Sequence, residues 1–111
     1  MAKRLTRPLR LATFTLSTEA DLDLSAVYTN TAQTWGIDQA ERYALFLNSY
    51  ILDLACAQTQ GRPIAERPGL RSLVARWKNA KYRHRIVYEE TPNGIHVLRI
   101  LHTAMNLPDH L

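Results

Sequence analysis

The sequence contains a single cysteine, Cys56, among its 111 residues. One thiol cannot form an intrachain disulfide, and it cannot supply the paired thiolates of a structural zinc site. Cys56 falls late in an amphipathic helical pattern with no histidine close to it in sequence, so we expect it to pack as a small apolar residue. Disulfide-rich and thiol-dependent classes of protein are therefore excluded from the expected functions.

Long apolar runs are also absent, and no stretch approaches the roughly 20 residues that span a bilayer. The basic N-terminal segment lacks the apolar core and the cleavage site of a secretory signal. The four glycines are too dispersed for a phosphate-binding loop, and the four histidines lack cysteine partners and metal-ligand spacing. We therefore expect a cytoplasmic protein with no membrane contact, no metal and no cofactor.

The length suits one domain, and a content of 46% hydrophobic and 22% charged residues is ordinary for a globular protein. We expect a single domain over residues 1–111, with the basic residues 1–10 as a frayed arm. The net charge of +4 is unevenly distributed, because residues 17–58 hold six acids and one base. This asymmetry indicates a basic half that meets an acidic partner.

The first half of the chain predicts a strand followed by two helices. Apolar residues alternate with threonines over 12–16, which is typical of a strand with one buried face. Thr18 and Asp21 can form a capping box for a helix that runs to about Trp35. Gly36 can take the left-handed conformation that ends a helix.

The second helix is predicted to follow at once, as the return arm of an antiparallel αα-hairpin. Asp38, with Glu41 three residues later, is the expected cap. Apolar residues then recur at spacings of three and four, and Gly61 is expected to end the segment. Residues 61–69 hold too many glycines and prolines for regular structure, so we predict a loop there.

The remaining residues predict three antiparallel strands, near 71–77, 84–90 and 95–102. Asn93 and Gly94 would supply the positive φ angles of a tight hairpin between the last two. The expected fold class is α+β. An N-terminal strand, the helix hairpin and a three-stranded meander would form one twisted sheet with the helices on one face.

Arg99 interrupts the apolar run of the last strand. An unpaired charge is costly to bury, so this guanidinium must serve a partner, reach solvent or meet a carboxylate of the fold. We favour a partner-facing role and hold a structural ion pair as the alternative. The carboxylates expected within reach in this half of the chain are Glu66, Glu89, Glu90 and Asp109.

The C-terminal segment Leu98-Arg99-Ile100-Leu101-His102, followed by Met105 and then His110-Leu111, resembles the end of the ParE-type toxins of bacterial ParDE toxin–antitoxin systems. These toxins belong to the RelE/ParE superfamily. Similar motifs continue upstream at Trp35-Gly36, Gly61-Arg62-Pro63, Pro68-Gly69-Leu70-Arg71 and His84-Arg85-Ile86-Val87-Tyr88. The resemblance covers nearly the whole domain and implies a RelE/ParE-like fold.

The resemblance also implies a growth-inhibiting toxin that binds and poisons DNA gyrase, has no catalytic centre, and is neutralised by a ParD-like antitoxin. No direct binding of nucleic acid is expected outside the antitoxin complex. The candidate contacts with the target or the antitoxin are Arg71, Arg99, His102, Met105, Asn106 and His110.

A ribosome-dependent mRNA endonuclease of the RelE/YoeB-like kind is the alternative function, because Trp77 followed by His84-Arg85 resembles that branch. Histidines could transfer protons and arginines could bind phosphate without a metal. The candidate catalytic set is His84, His102, Arg85 and Arg99. An inactive toxin-like scaffold is the third hypothesis, because Asn106 replaces the family's aspartate and the 77–83 turn looks long.

Overall fold

The computed structural model of the chain describes residues 13–77, 83–105 and 107–110. The elements in chain order are β1 (Thr13–Leu16), α1 (Thr18–Trp35), α2 (Ile37–Ala55), β2 (Arg62–Pro63), β3 (Leu70–Ala75), β4 (His84–Thr91), β5 (Gly94–His102) and a 3₁₀ turn (Leu107–His110). The predicted α+β class, with one sheet and a helix hairpin, is confirmed. The basic arm, Asn106 and residues 78–82 of the long turn lie outside the described residues.

The five strands form one sheet in the order β1-β5-β4-β3-β2. The expected meander is present as β3, β4 and β5, and β1 joins β5 in parallel. The short strand β2 corrects the prediction of a loop over 61–69, because Arg62 and Pro63 pair with Ser72 and Arg71. A proline is tolerated there because β2 is an edge strand, where one side needs no N–H donor.

The N-cap of helix α1 lies one residue before the predicted cap at Thr18. Ser17 is the N-cap residue, and its hydroxyl accepts a hydrogen bond from the Ala20 N–H at 2.9 Å. The same hydroxyl donates to the Leu98 carbonyl at 2.7 Å. The cap therefore satisfies the helix start and ties it to β5, while the predicted end at Trp35 is confirmed.

Gly36 alone separates the two helices. Its φ of 97° is positive as predicted, but its ψ of 164° places it outside the left-handed helical region, in a conformation that is essentially confined to glycine. No side chain of the described residues caps α2, so the predicted cap at Asp38 is wrong. Helix α2 also ends at Ala55, before the expected Gly61, because Ala57 takes the left-handed conformation with a φ of 59° and the Gln58 N–H donates to the Asp53 carbonyl at 2.8 Å.

The two helices pack against one face of the sheet. The main core on that face includes Val27, Tyr43, Leu47, Ile51, Ile86, Tyr88, Val97 and Ile100. A smaller cluster covers the other face and consists of Ile64, Leu70, Val87 and Leu101, with Leu98 and Leu107 packed against them. Within the described residues, no helix is long and apolar enough to cross a membrane.

A β-bulge interrupts the pairing of β4 with β5. Val87 pairs with Arg99 and Tyr88 pairs with Val97, so Leu98 is an extra residue on β5. An extra residue shifts the alternation of side chains between the two faces. As a consequence, Val97 and Ile100 both belong to the core on the helix side. Each residue after the bulge lies on the face opposite to the one that regular alternation would give.

Candidate functional site

A groove of about 550 Å³ lies between α1 and the C-terminal end of β5. Its apolar lining includes Trp35, Ile100 and Met105, and its polar lining includes Asn30, Thr34, His84 and His102. Trp35 is 65% exposed and Met105 is 46% exposed, so both present apolar surface to solvent. The groove thus brings together three of the residues that were singled out in the sequence: His84, His102 and Met105.

The two histidines of the groove pair directly across β4 and β5. Their rings meet edge to face, with centroids 5.4 Å apart. His84 is buried, and its Nδ1 lies 2.8 Å from the Tyr43 hydroxyl. His102 Nδ1 accepts a hydrogen bond from the Ala104 N–H at 3.0 Å, so the neutral ring carries its proton on Nε2.

Burial lowers the pKa of His84 from 6.5 to about 4, and the neighbouring His102 adds to this decrease while Asp23 opposes it. Desolvation acts in this direction because it disfavours the charged imidazolium. His84 is therefore neutral at physiological pH. A general acid or base works best with a pKa near the operating pH, so this histidine is poorly suited to proton transfer there.

We expect the free energy of unfolding to fall by roughly 3 kcal/mol as the pH drops from 6.5 to about 4. In this window the unfolded chain binds a proton on His84 and the folded chain does not, so acid favours unfolding. The contribution is fully present above the unfolded pKa. Urea denaturation of His84→Gln at neutral pH and in mild acid should show a weaker pH dependence than that of the unmodified chain.

His110→Gln is the matched control for this measurement, since it removes one histidine from the 3₁₀ turn instead of from β4. Equal pH dependence in the His84 variant and in the unmodified chain would contradict the role assigned to His84.

Arg99 is held by Asp23 of α1. Its Nε and Nη2 donate to the two carboxylate oxygens at 2.8 and 3.0 Å, and the Ile100 N–H donates to the same carboxylate at 2.9 Å. The hydrogen bond to Asp23 raises the pKa of Arg99. The structural ion pair that was held as the alternative is present, with a carboxylate that was not among the four expected. Contact between Arg99 and a target stays a prediction.

Asp23 is needed because β1 covers only part of the edge of β5. The parallel pairing ends at Leu16 and Val97. Beyond that point α1 meets the strand instead, through Ser17 at the Leu98 carbonyl and Asp23 at the Ile100 N–H. Sequence reasoning missed Asp23 because it lies 76 residues from Arg99 in the chain, and nothing in the sequence distinguishes it from the other acids of α1.

The other described candidate residues are not among those that line the groove. Arg71 donates from Nη1 to the Gly61 carbonyl at 2.8 Å, with its Nε 3.8 Å from Glu90. Arg85 donates to the Ser72 hydroxyl at 3.4 Å. His110 lines a separate cleft of about 240 Å³ together with Arg99. The candidate endonuclease set is therefore divided, since only its two histidines line the groove in the described part of the chain.

A third cleft, of about 200 Å³, opens between α1, α2 and β1. Its lining is predominantly apolar and includes Phe14, Leu16, Leu24, Tyr28, Ala44 and Leu47. Strand β1 is the first strand of the sheet, so its outer backbone edge is not paired with another described strand. An apolar cleft beside an open strand edge is a surface on which a peptide segment can bind.

Comparisons with known proteins agree with the resemblance in the sequence. Residues 14–107 match the family model of the ParE toxin of the type II toxin–antitoxin system parDE. Toxin ParE1 of Caulobacter vibrioides is 29% identical over 102 residues, covering 88% of this chain and 96% of the relative. Toxin ParE1 of Mycobacterium tuberculosis is 36% identical over 101 residues, with the same 88% and 96% coverage.

A solved structure described as the chromosomal ParDE TA system from P. aeruginosa has the same fold. Its TM-score is 0.64 at 22% sequence identity, and the match covers 83% of this chain and 96% of that one. The family model spans most of the described residues and includes both helices, strands β2 to β5 and all of β1 except Thr13. The chain therefore belongs to the ParE family of toxins of type II toxin–antitoxin systems.

Proposed function

We propose that this toxin inhibits growth in the cytoplasm by binding and poisoning DNA gyrase, without a catalytic centre of its own. The observation that carries the proposal is the separation of the histidines from the arginines. Cleavage of RNA needs a proton donor with a pKa near neutrality and cations to stabilise the phosphorane. His84 has a pKa of about 4, and the described lining of its groove includes neither Arg85 nor Arg99.

The groove has the character of a protein-binding surface. Exposed tryptophan and methionine side chains are frequent anchors in protein interfaces, because they bury a large apolar area on binding. Trp35 and Met105 supply such anchors on either side of the groove, and Asn30 and Thr34 supply a polar rim. We propose this groove as the contact with gyrase, with His102 and Met105 as the contact residues that were also candidates in the sequence.

The proposed antitoxin partner is ParD-like and binds elsewhere, over the apolar cleft between α1, α2 and β1. An amphipathic segment that folds on binding would cover Phe14, Leu24 and Tyr28 and pair with the open edge of β1. The solved neighbour is described as a ParDE system, which supports a partner of this class. Two separate surfaces would allow neutralisation by the antitoxin without direct competition at the groove.

Expression of the toxin without an antitoxin tests the proposed target. We expect growth arrest, an induced SOS DNA-damage response and intact mRNA, because a poisoned gyrase leaves broken DNA. Rapid codon-biased cleavage of mRNA would contradict this proposal and would favour the endonuclease alternative, with His84 and His102 as the first residues to examine. Growth without any arrest would favour the inactive scaffold.

A second experiment tests whether the groove is the contact surface. Trp35→Ala should weaken target binding by roughly 30-fold, which corresponds to about 2 kcal/mol for an interface anchor. Leu45→Ala is the matched control, because Leu45 is 70% exposed on α2 and lies outside the groove lining. Equal effects of the two variants on toxicity and on binding to purified gyrase would show that the groove is not the contact.

A further inference from the structure

Most of the described basic residues lie in one part of the sheet. Residues 62–85 contain eight basic side chains and a single acid, Glu66. The described ones lie on or beside β2, β3 and β4, the half of the sheet farthest from β1. This concentration of charge is not used by the groove or by the apolar cleft, both of which are lined mainly by the helices and by β1, β4 and β5.

Two of these arginines flank one hydroxyl on the face without helices. Ser72 pairs with Val87, which belongs to the cluster on that face, and Arg62 pairs with Ser72 from the other side. Directly paired residues of antiparallel strands point to the same face. Arg85 lies two residues from Val87 on β4, and its Nη1 donates to the Ser72 hydroxyl at 3.4 Å. Arg62 and the half-buried Arg85 thus lie on either side of the buried Ser72 on this face.

The charges of these two arginines are not neutralised within the described residues. Arg71 and Arg99 have carboxylate partners, Glu90 and Asp23. By contrast, neither Arg62 nor Arg85 forms an ion pair with another described residue, and Arg62 is exposed to solvent. Arginine binds phosphate through its planar fork of N–H donors, so an arginine without a carboxylate partner is available for that contact.

We propose that this face binds the phosphate backbone of duplex DNA through Arg62 and Arg85. The two residues lie two strands apart, a separation of about 10 Å, so that each can contact a different phosphate. The choice of duplex DNA among polyanions rests on the proposed function, because gyrase holds a DNA duplex. The contact differs from the expectation that the chain does not bind nucleic acid outside the antitoxin complex.

Fluorescence anisotropy of the full chain with a short labelled DNA duplex tests the contact in the absence of gyrase. Arg62→Ser and Arg85→Ser should each weaken binding by about tenfold at low salt and reduce the slope of log affinity against log salt by about one. Arg42→Ser is the matched control: it removes the same charge from an exposed position on α2 and should leave both quantities unchanged. Equal losses for Arg42→Ser and Arg62→Ser would overturn the proposal.

Two competitors separate the possible partners. Displacement of the duplex by poly-glutamate at equal charge concentration would overturn the choice of DNA and indicate an acidic protein. Tighter binding to single-stranded RNA than to the duplex would also overturn it. Since neither measurement contains gyrase, failure of this contact is distinguishable from failure of the proposed target, which is read from the SOS response.

Discussion

Asp23→Ala should lower the free energy of unfolding by about 3–5 kcal/mol, because removal of one partner leaves the other charge of a partly buried pair without compensation. The Asp23 and Arg99 side chains are only 16% and 25% exposed. The mutation also removes the acceptor of the Ile100 N–H at the edge of β5. Arg99→Ala should cost less, about 1.5–3 kcal/mol, because the carboxylate keeps that backbone contact.

Urea denaturation of both variants checks the order of these losses. Asp21→Ala removes the same charge from an exposed position on the same helix and should cost under about 1 kcal/mol. If Asp23→Ala lowers the free energy of unfolding by no more than Asp21→Ala does, the contacts of Asp23 with β5 do not stabilise the fold. If Arg99→Ala keeps its toxicity per folded molecule, Arg99 serves the fold alone.

Gly94→Ala should lower the free energy of unfolding by at least about 3 kcal/mol, through overpacking against a backbone that cannot rotate away. A Cβ on Gly94 would overlap the Thr13 carbonyl oxygen, and it would lie 2.8 Å from the carbonyl carbon. Thr13 and Gly94 are paired residues of β1 and β5, so the mutation forces the two strands apart. Denaturant midpoints measure the loss.

Gly69→Ala is the control for this prediction. Gly69 has a φ of +94°, but no atom lies within 4 Å of the position that a Cβ would take there, so only backbone strain of about 1–2 kcal/mol is expected. A smaller loss at Gly94 than at Gly69 would mean that β1 adapts easily. The control also distinguishes steric overlap from backbone strain, because Gly94 itself does not have a positive φ.

The tight hairpin was therefore predicted at the correct place, but the positive φ angles that were expected of Asn93 and Gly94 are not found there. Thr91 pairs with Gly94 across a two-residue turn, as expected for a tight hairpin. Among the described residues, however, the positive φ angles belong to Gly36, Ala57 and Gly69. Sequence reasoning attributes glycine in Asn-Gly to turn geometry, whereas here the glycine allows close approach of β1, a contact that only the tertiary fold defines.

Local patterns predicted the helices and the three long strands because each pattern is repeated several times within one element. The β-bulge was beyond such reasoning. Regular alternation from His96 places Ile100 and His102 on the same face as His96, whereas the extra residue at Leu98 moves them to the helix side. One inserted residue leaves no mark on composition, and yet it turns His102 toward the groove.

The candidate site was predicted in part for a related reason. His102 and Met105 were recognisable because they follow an apolar strand near the end of the motif. Trp35 and Asn30 were not proposed as their neighbours, because the angle at which α1 crosses the sheet decides which of its side chains line the groove. The partner of Arg99 was missed because an ion pair between distant segments has no local signature.

The parallel pairing of β1 with β5 joins the earliest described strand to the last. The Thr15 side chain forms a hydrogen bond with the His96 ring, 81 residues later in the sequence, and the Asp23–Arg99 ion pair joins residues that are 76 positions apart. Contacts of such long range form late, after the entropy of closing the loop has been overcome. A nascent chain that stops short of β5 lacks both the strand that holds α1 and one wall of the groove. Prematurely terminated copies would thus be harmless, and toxicity would require translation through the final strand.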